Sequence, residues 1–100
     1  MAQHYIITYD LRSQKIDYTR LTTAIKSFSD WAHPLERVWV IYTEDDAEDI
    51  FNRLKQFIDA STDRLLIVKM PGIERKSIQG WLGSNFWTWL ANASVNPNER

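Results

Sequence analysis

No cysteine occurs in this chain of 100 residues, which excludes disulfides, thiolate metal sites and a cysteine nucleophile and fits a reducing compartment. Histidine is nearly as scarce. His4 and His33 are too far apart to form a ligand pair on one helix face, so a zinc site or a histidine acid–base pair lacks its residues. Three glycines are too few for a phosphate-binding glycine loop, and no Gly-x-Ser-x-Gly elbow presents a serine nucleophile. A surplus of one charge is missing too: twelve Lys and Arg against thirteen Asp and Glu leave a formal net charge of −1. Strong nonspecific DNA binding by a lone copy is not expected from that balance. No apolar run approaches the ~20 residues that span a bilayer, and no signal-peptide pattern opens the chain, so the expectation is a cytoplasmic protein with no membrane partner.

What is present describes an ordered core. Hydrophobic residues make up 44 % and aromatic residues 13 %, with five tryptophans, which is far from the composition of a disordered chain. At this length the chain forms one domain, expected over residues 1–92 with a core at 4–70 and a tail at 71–92; residues 93–100 are expected to be disordered.

Tyr5-Ile6-Ile7-Thr8-Tyr9-Asp10-Leu11 is rich in β-branched and aromatic residues and reads as a buried strand with a carboxylate at its C-terminal end. Strand ends carry ligands and contacts in small mixed domains, so Asp10 is the first candidate for chemistry. The bland alternative is a carboxylate that only caps the following loop. Asp17 is placed to cap a helix whose apolar face is Tyr18, Leu21, Ile25 and Phe28, ending near Asp30 or Trp31. His33-Pro34 then starts a new element, and Val38 to Thr43 is a strand. Thr43 can cap the next helix, whose buried stripe is Ala47, Ile50, Phe51, Leu54, Phe57 and Ile58. The acidic stretch Glu44 to Asp49 favours that helix's positive end and reads as structural rather than as a metal cluster. Leu65 to Met70 is the last core strand, stopped by Pro71-Gly72. In the tail, Ile73 to Gln79 reads as a short edge strand, and Ser84 can open a last helix with Phe86, Trp89 and Leu90 on one face. Trp81, Trp87 and Trp89 are expected to pack the tail over the core or across a dimer.

Two helices between strands that cannot all be parallel neighbours predict an α+β sandwich with both helices on one sheet face. If residues 32–43 split into two strands joined near Glu36 or Arg37, the pattern is the ferredoxin-like βαββαβ. Its other sheet face would then be bare, which predicts a homodimer.

Tyr9-Asp10-Leu11, Arg37-Val38-Trp39 before an acidic-capped helix, and Asp63-Arg64-Leu65-Leu66-Ile67-Val68 resemble the small CRISPR-associated spacer-acquisition subunit, the non-integrase partner of its complex. Trp31-Ala32-His33-Pro34-Leu35-Glu36 resembles a segment of short bacterial proteins labelled SinR-like. The resemblance spans about Tyr5 to Met70 and implies a ferredoxin-like homodimer related in fold to the VapD ribonuclease toxins. It implies that Asp10 lies near a dimer axis, where two copies would share a divalent metal, Mg2+ by its preference for oxygen ligands, for phosphodiester cleavage. The family commonly has Ser-Val-Phe where this chain has Arg37-Val38-Trp39, so the serine is missing. Three readings stand: a dimeric RNA- or DNA-associated protein without strong catalysis, a metal-dependent endonuclease using paired Asp10, and a dimeric interaction module with no nucleic-acid role. The first is preferred, with Arg12, Lys15 and Arg37 as phosphate contacts and Lys69, Arg75 and Lys76 extending the stripe across a dimer.

Overall fold

The period-two alternation of the first strand sorts its side chains between two cores. In the computed structural model, which describes residues 1–74 and 77–93, β1 (Gln3–Asp10) buries Tyr5 and Ile7 on one face and sets His4, Ile6, Thr8 and Asp10 on the other. It is followed by α1 (Thr19–Ile25), β2 (Asp30–Leu35), β3 (Val38–Thr43), α2 (Ala47–Leu54) with a 3-10 turn at Lys55–Phe57, β4 (Arg64–Lys69) and α3 (Ser84–Ala93). The sheet runs β2-β3-β1-β4 and every neighbouring pair is antiparallel. With α1 and α2 packed on one face, this is the ferredoxin-like βαββαβ arrangement, and β1 lies inside the sheet.

The main core joins Tyr5, Ile7, Trp39 and Ile41 of the sheet to Leu21 and Ile25 of α1, Phe28, and Ile50 and Leu54 of α2. α1 stops at Ile25, short of the end expected near Asp30. Ser27 and Phe28 donate to the carbonyls three residues back, which tightens the turn, keeps Phe28 buried and frees Asp30 to pair with Tyr42 in β2. The capping residues also differ from expectation. Tyr18 flanks α1 and the Asp17 carboxylate accepts from Thr19 N–H at 3.0 Å, whereas Asp46, not Thr43, caps α2 by accepting from Asp49 N–H at 2.8 Å. Phe51, expected in the buried stripe, is exposed.

His33-Pro34 does not begin an element. Both lie within β2, where the register shifts between Ala32 and Leu35, so the proline sits in a bulge on an edge strand and costs the sheet no ladder bond.

The opposite sheet face is not bare. Val40 and Met70 are buried beneath Phe86 and Leu90 of α3, with Ile6, Ala32, Ile73, Ile78, Leu82, Trp87 and Trp89 packed around them. Trp89 Nε1 donates to Asp30 Oδ1 at 2.9 Å, which fixes the helix against β2. Among the described residues of 71–83 there is no strand, because this segment packs as irregular chain around the second core instead of joining the sheet edge. Gly83, with φ +82°, makes the left-handed turn into α3 that other residues adopt at a cost. Trp81 points to solvent rather than into either core. Arg75, Lys76 and, from residue 94 onward, the end expected to be disordered lie outside the described residues.

Candidate functional site

β1 ends at Asp10, and antiparallel pairing sets the first residue of β4, Arg64, directly opposite it. Two further arginines converge there. Arg12 grips Asp10 Oδ2 through Nη2 at 2.7 Å and Nε at 3.0 Å, a fork that holds the guanidinium charged. The hydrogen bond to Asp10, then its charge, raises the Arg12 pKa further. Arg37, at the β2–β3 hairpin tip, brings Nη1 to 3.9 Å from Asp10 Oδ1, and its carbonyl accepts from Thr8 Oγ1 at 2.9 Å, tying the tip to β1.

The loop carrying Arg12 is held from below by Asp63, whose carboxylate is buried at the entrance to β4. It accepts from Arg12 N–H at 2.7 Å, Ser13 N–H at 3.2 Å, Asp59 N–H at 2.8 Å and the Tyr18 hydroxyl at 2.8 and 2.9 Å. Burial pushes the Asp63 carboxyl up, but the donors from Arg12, Asp59, Tyr18 and Ser13 outweigh it and hold the pKa at about 2. Tyr18, largely through burial and its bond to Asp63, is pushed above the usual phenol value. Arg64 adds Nη1 to the Asp63 carbonyl at 2.9 Å, so one buried aspartate orders both the Arg12 loop and the start of β4.

The result is an exposed pair of arginines, Arg12 and Arg37, on one carboxylate, with Arg64 opposite on β4, beside an open hollow of about 300 Å³ lined by Thr8, Tyr9, Asp10, Arg64, Leu65 and Leu66. Its excess positive charge and forked donors suit phosphate oxygens. A hard divalent cation is a poor fit to the residues of one chain. Both Asp10 oxygens face guanidiniums, and among the described residues no three His, Cys, Asp or Glu side chains gather as a ligand set.

No family model and no curated protein matches the chain. Its fold is similar to the crystal structure of a hypothetical protein from Thermus thermophilus, with a TM-score of 0.57 and 23 % identity over 72 % of this chain and 85 % of that one. At that identity the likeness concerns the fold alone.

Of the residues expected at the site, Asp10, Arg12 and Arg37 come together and Lys15 does not. The Lys15 N–H donates to Ser13 Oγ, and its charge helps to hold the Asp59 carboxyl low. Lys69 pairs with Tyr5 at the other end of β4. Arg64 was missed by sequence reasoning, since only the β1–β4 register reveals it. The acidic run serves α2 as expected: Asp46 caps it, and Asp45 pairs with Arg53 at 3.2 Å. His4 is buried under α3, and among the described residues its Nε2 has no hydrogen-bond partner. Among the described residues no helix is long and apolar enough to cross a membrane.

Proposed function

We propose that the protein is a homodimeric nucleic-acid-associated protein that binds RNA or DNA through phosphate contacts and lacks strong catalysis. The observation that carries this reading is the convergence of Arg12 and Arg37 on the Asp10 carboxylate, with the exposed Arg64 opposite it in the β1–β4 register. An ion-paired Asp10 organises guanidiniums; it is not free to gather a metal. Overall neutrality does not oppose the reading, because phosphate contacts act within the Debye length of about 10 Å at 0.1 M salt and respond to local charge. Dimerisation would double the arginine set and draws support from Leu35, Leu66 and Val68, which stay exposed on the part of the second sheet face that α3 leaves open.

The reading is tested by fluorescence anisotropy with labelled RNA and DNA across a salt series. Arg37→Ala and Arg12→Ala are expected to weaken binding several-fold for every sequence and to flatten the salt slope by about 1 for each phosphate no longer gripped. Asp10→Ala is expected to leave binding intact or strengthen it, because it removes the carboxylate that the arginines share. Magnesium-dependent cleavage that disappears in Asp10→Ala would instead establish the paired-Asp10 endonuclease. Absence of salt-sensitive binding would leave the interaction module.

A further inference from the structure

The hairpin that carries Arg37 also carries two exposed aromatic rings. His33 lies flat on Trp39, with ring centroids 3.7 Å apart and planes 8° from parallel, and Trp31 packs beside the same indole at 5.5 Å. Trp39 is core: it is buried, and its Nε1 donates to the Tyr9 hydroxyl at 2.9 Å. The two rings above it are not core, since His33 is exposed and Trp31 retains 37 % of its surface. They stand two residues apart on β2, about 6.6 Å along the strand, on the same face. A carbonyl can only accept, so the His33 Nε2–H donates to Glu36 O at 2.9 Å, which fixes the ring on its platform.

Positive charge flanks the rings at both ends. α1 stops at Ile25 and the next residue, Lys26, holds its ammonium 5.1 Å from the Trp31 ring centroid and 5.9 Å from that of Trp39. At the other end, Glu36 is followed by Arg37 and the Asp10 arginine group. Rings presented by a strand, with cations before and after them, match what an unpaired nucleotide strand requires: ring faces for its bases and charges for its phosphates. A duplex keeps its bases stacked inside and can use only the charges.

We infer that the edge of β2, through Trp31 and His33 with Lys26 and Arg37 on either side, is a stacking platform for single-stranded nucleic acid. This rests on the phosphate-binding reading above and names its substrate class as unpaired RNA or DNA. A base stacks on the outward face of His33 or on Trp31, and the backbone runs from Lys26 toward the arginine group.

The test measures anisotropy of labelled oligouridylate, oligothymidylate and a mixed-sequence duplex with wild type, Trp31→Ala, Trp31→Phe, His33→Ala and Arg37→Ala, each checked by thermal melting. Wild type should prefer both single strands to the duplex. Trp31→Ala should lower single-strand affinity about tenfold and leave duplex binding unchanged, while Trp31→Phe, which keeps a ring, should restore most of it. Arg37→Ala should weaken both substrates. If the duplex binds at least as tightly as the single strands, or if Trp31→Ala and His33→Ala melt normally and bind single strands like wild type, the platform is overturned while the arginine reading stands. Loss of all binding in wild type overturns both.

Discussion

Asp63 is almost wholly shielded from solvent, yet it orders the loop that carries the exposed Arg12. Its carboxylate is the common acceptor for Arg12 and Ser13 N–H, Asp59 N–H and the Tyr18 hydroxyl. Asp63→Ala strands those donors and is expected to lower stability by about 3 kcal/mol in urea unfolding, against about 1 kcal/mol for Tyr18→Phe, which removes one hydroxyl. Asp63→Ala should also blunt nucleic-acid binding, because the Arg12 loop loses its anchor. The carboxyl sits at about 2 when folded and 3.8 when unfolded, so the unfolded chain takes up more protons between those values. The stabilisation is complete above about pH 4 and is lost as pH falls through the interval toward 2. Melting temperature against pH should show that acid limb, and Asp63→Asn should flatten it. A residual slope will remain, since Asp59 is also held low, chiefly by the Ser61 hydroxyl and N–H. In the sequence Asp63 reads as an ordinary turn residue. Its hub role depends on bonds to the Arg12 loop some fifty positions away, which local pattern does not encode.

Element identity followed the hydrophobic period wherever the apolar positions recur within one element. The strands Val38 to Thr43 and Leu65 to Met70 and the start of α2 are legible for that reason. In the tail the helix from Ser84 with Phe86 and Leu90 on one face is legible in the same way, but what it covers is not, because its partners Val40 and Met70 are remote and the chain at 71–83 packs around them without a period of its own. Under α3 lies His4, packed against Tyr42 at 4.6 Å and edge-on to Trp89 at 5.9 Å, with Asp30 of β2 nearby. Burial lowers its pKa from the usual 6.5, partly opposed by Asp30, so the unfolded or undocked chain binds the proton more readily. The docking of α3 should therefore hold above about pH 6.5 and weaken as pH falls through the depressed folded value. Amide hydrogen exchange is the measurement: α3 protection, corrected for intrinsic rates, should drop on mild acidification in wild type. His4→Phe keeps the ring contacts and removes the unpartnered nitrogen. It should abolish that pH dependence and raise stability by about 1 kcal/mol. Unchanged protection across this range in wild type would show that His4 does not couple to the helix.

At the scale of the whole molecule, α3 divides the second sheet face into a covered half and an open half. In the open half Leu35, Val38, Thr8 and Leu66 stand in one register row across all four strands, with Val68 beside them on β4. Leu66, Val68 and Leu35 keep 56 %, 43 % and 50 % of their surface exposed, an apolar row that ends against Asp10 and its arginines. β2 blunts its edge with a proline and a bulge, whereas β4, Arg64-Leu65-Leu66-Ile67-Val68-Lys69, has neither within it. Association through the β4 half of the face would bury that row and bring two arginine groups together, one from each copy, which links the dimer to phosphate binding. The homodimer was expected from a wholly bare face, but the structure leaves this smaller patch. Leu66→Glu combined with Val68→Glu tests it cleanly, because side chains that are already exposed cost little to change within one protomer. Sedimentation equilibrium should show a dimer for wild type and a monomer for the double variant, with melting of the monomer's main core little altered. If the arginine sets of two copies act together, nucleic-acid affinity should fall together with the dimer. A double variant that stays dimeric would place the interface elsewhere on the fold, and one that turns monomeric yet binds as tightly as wild type would leave each arginine group to act alone.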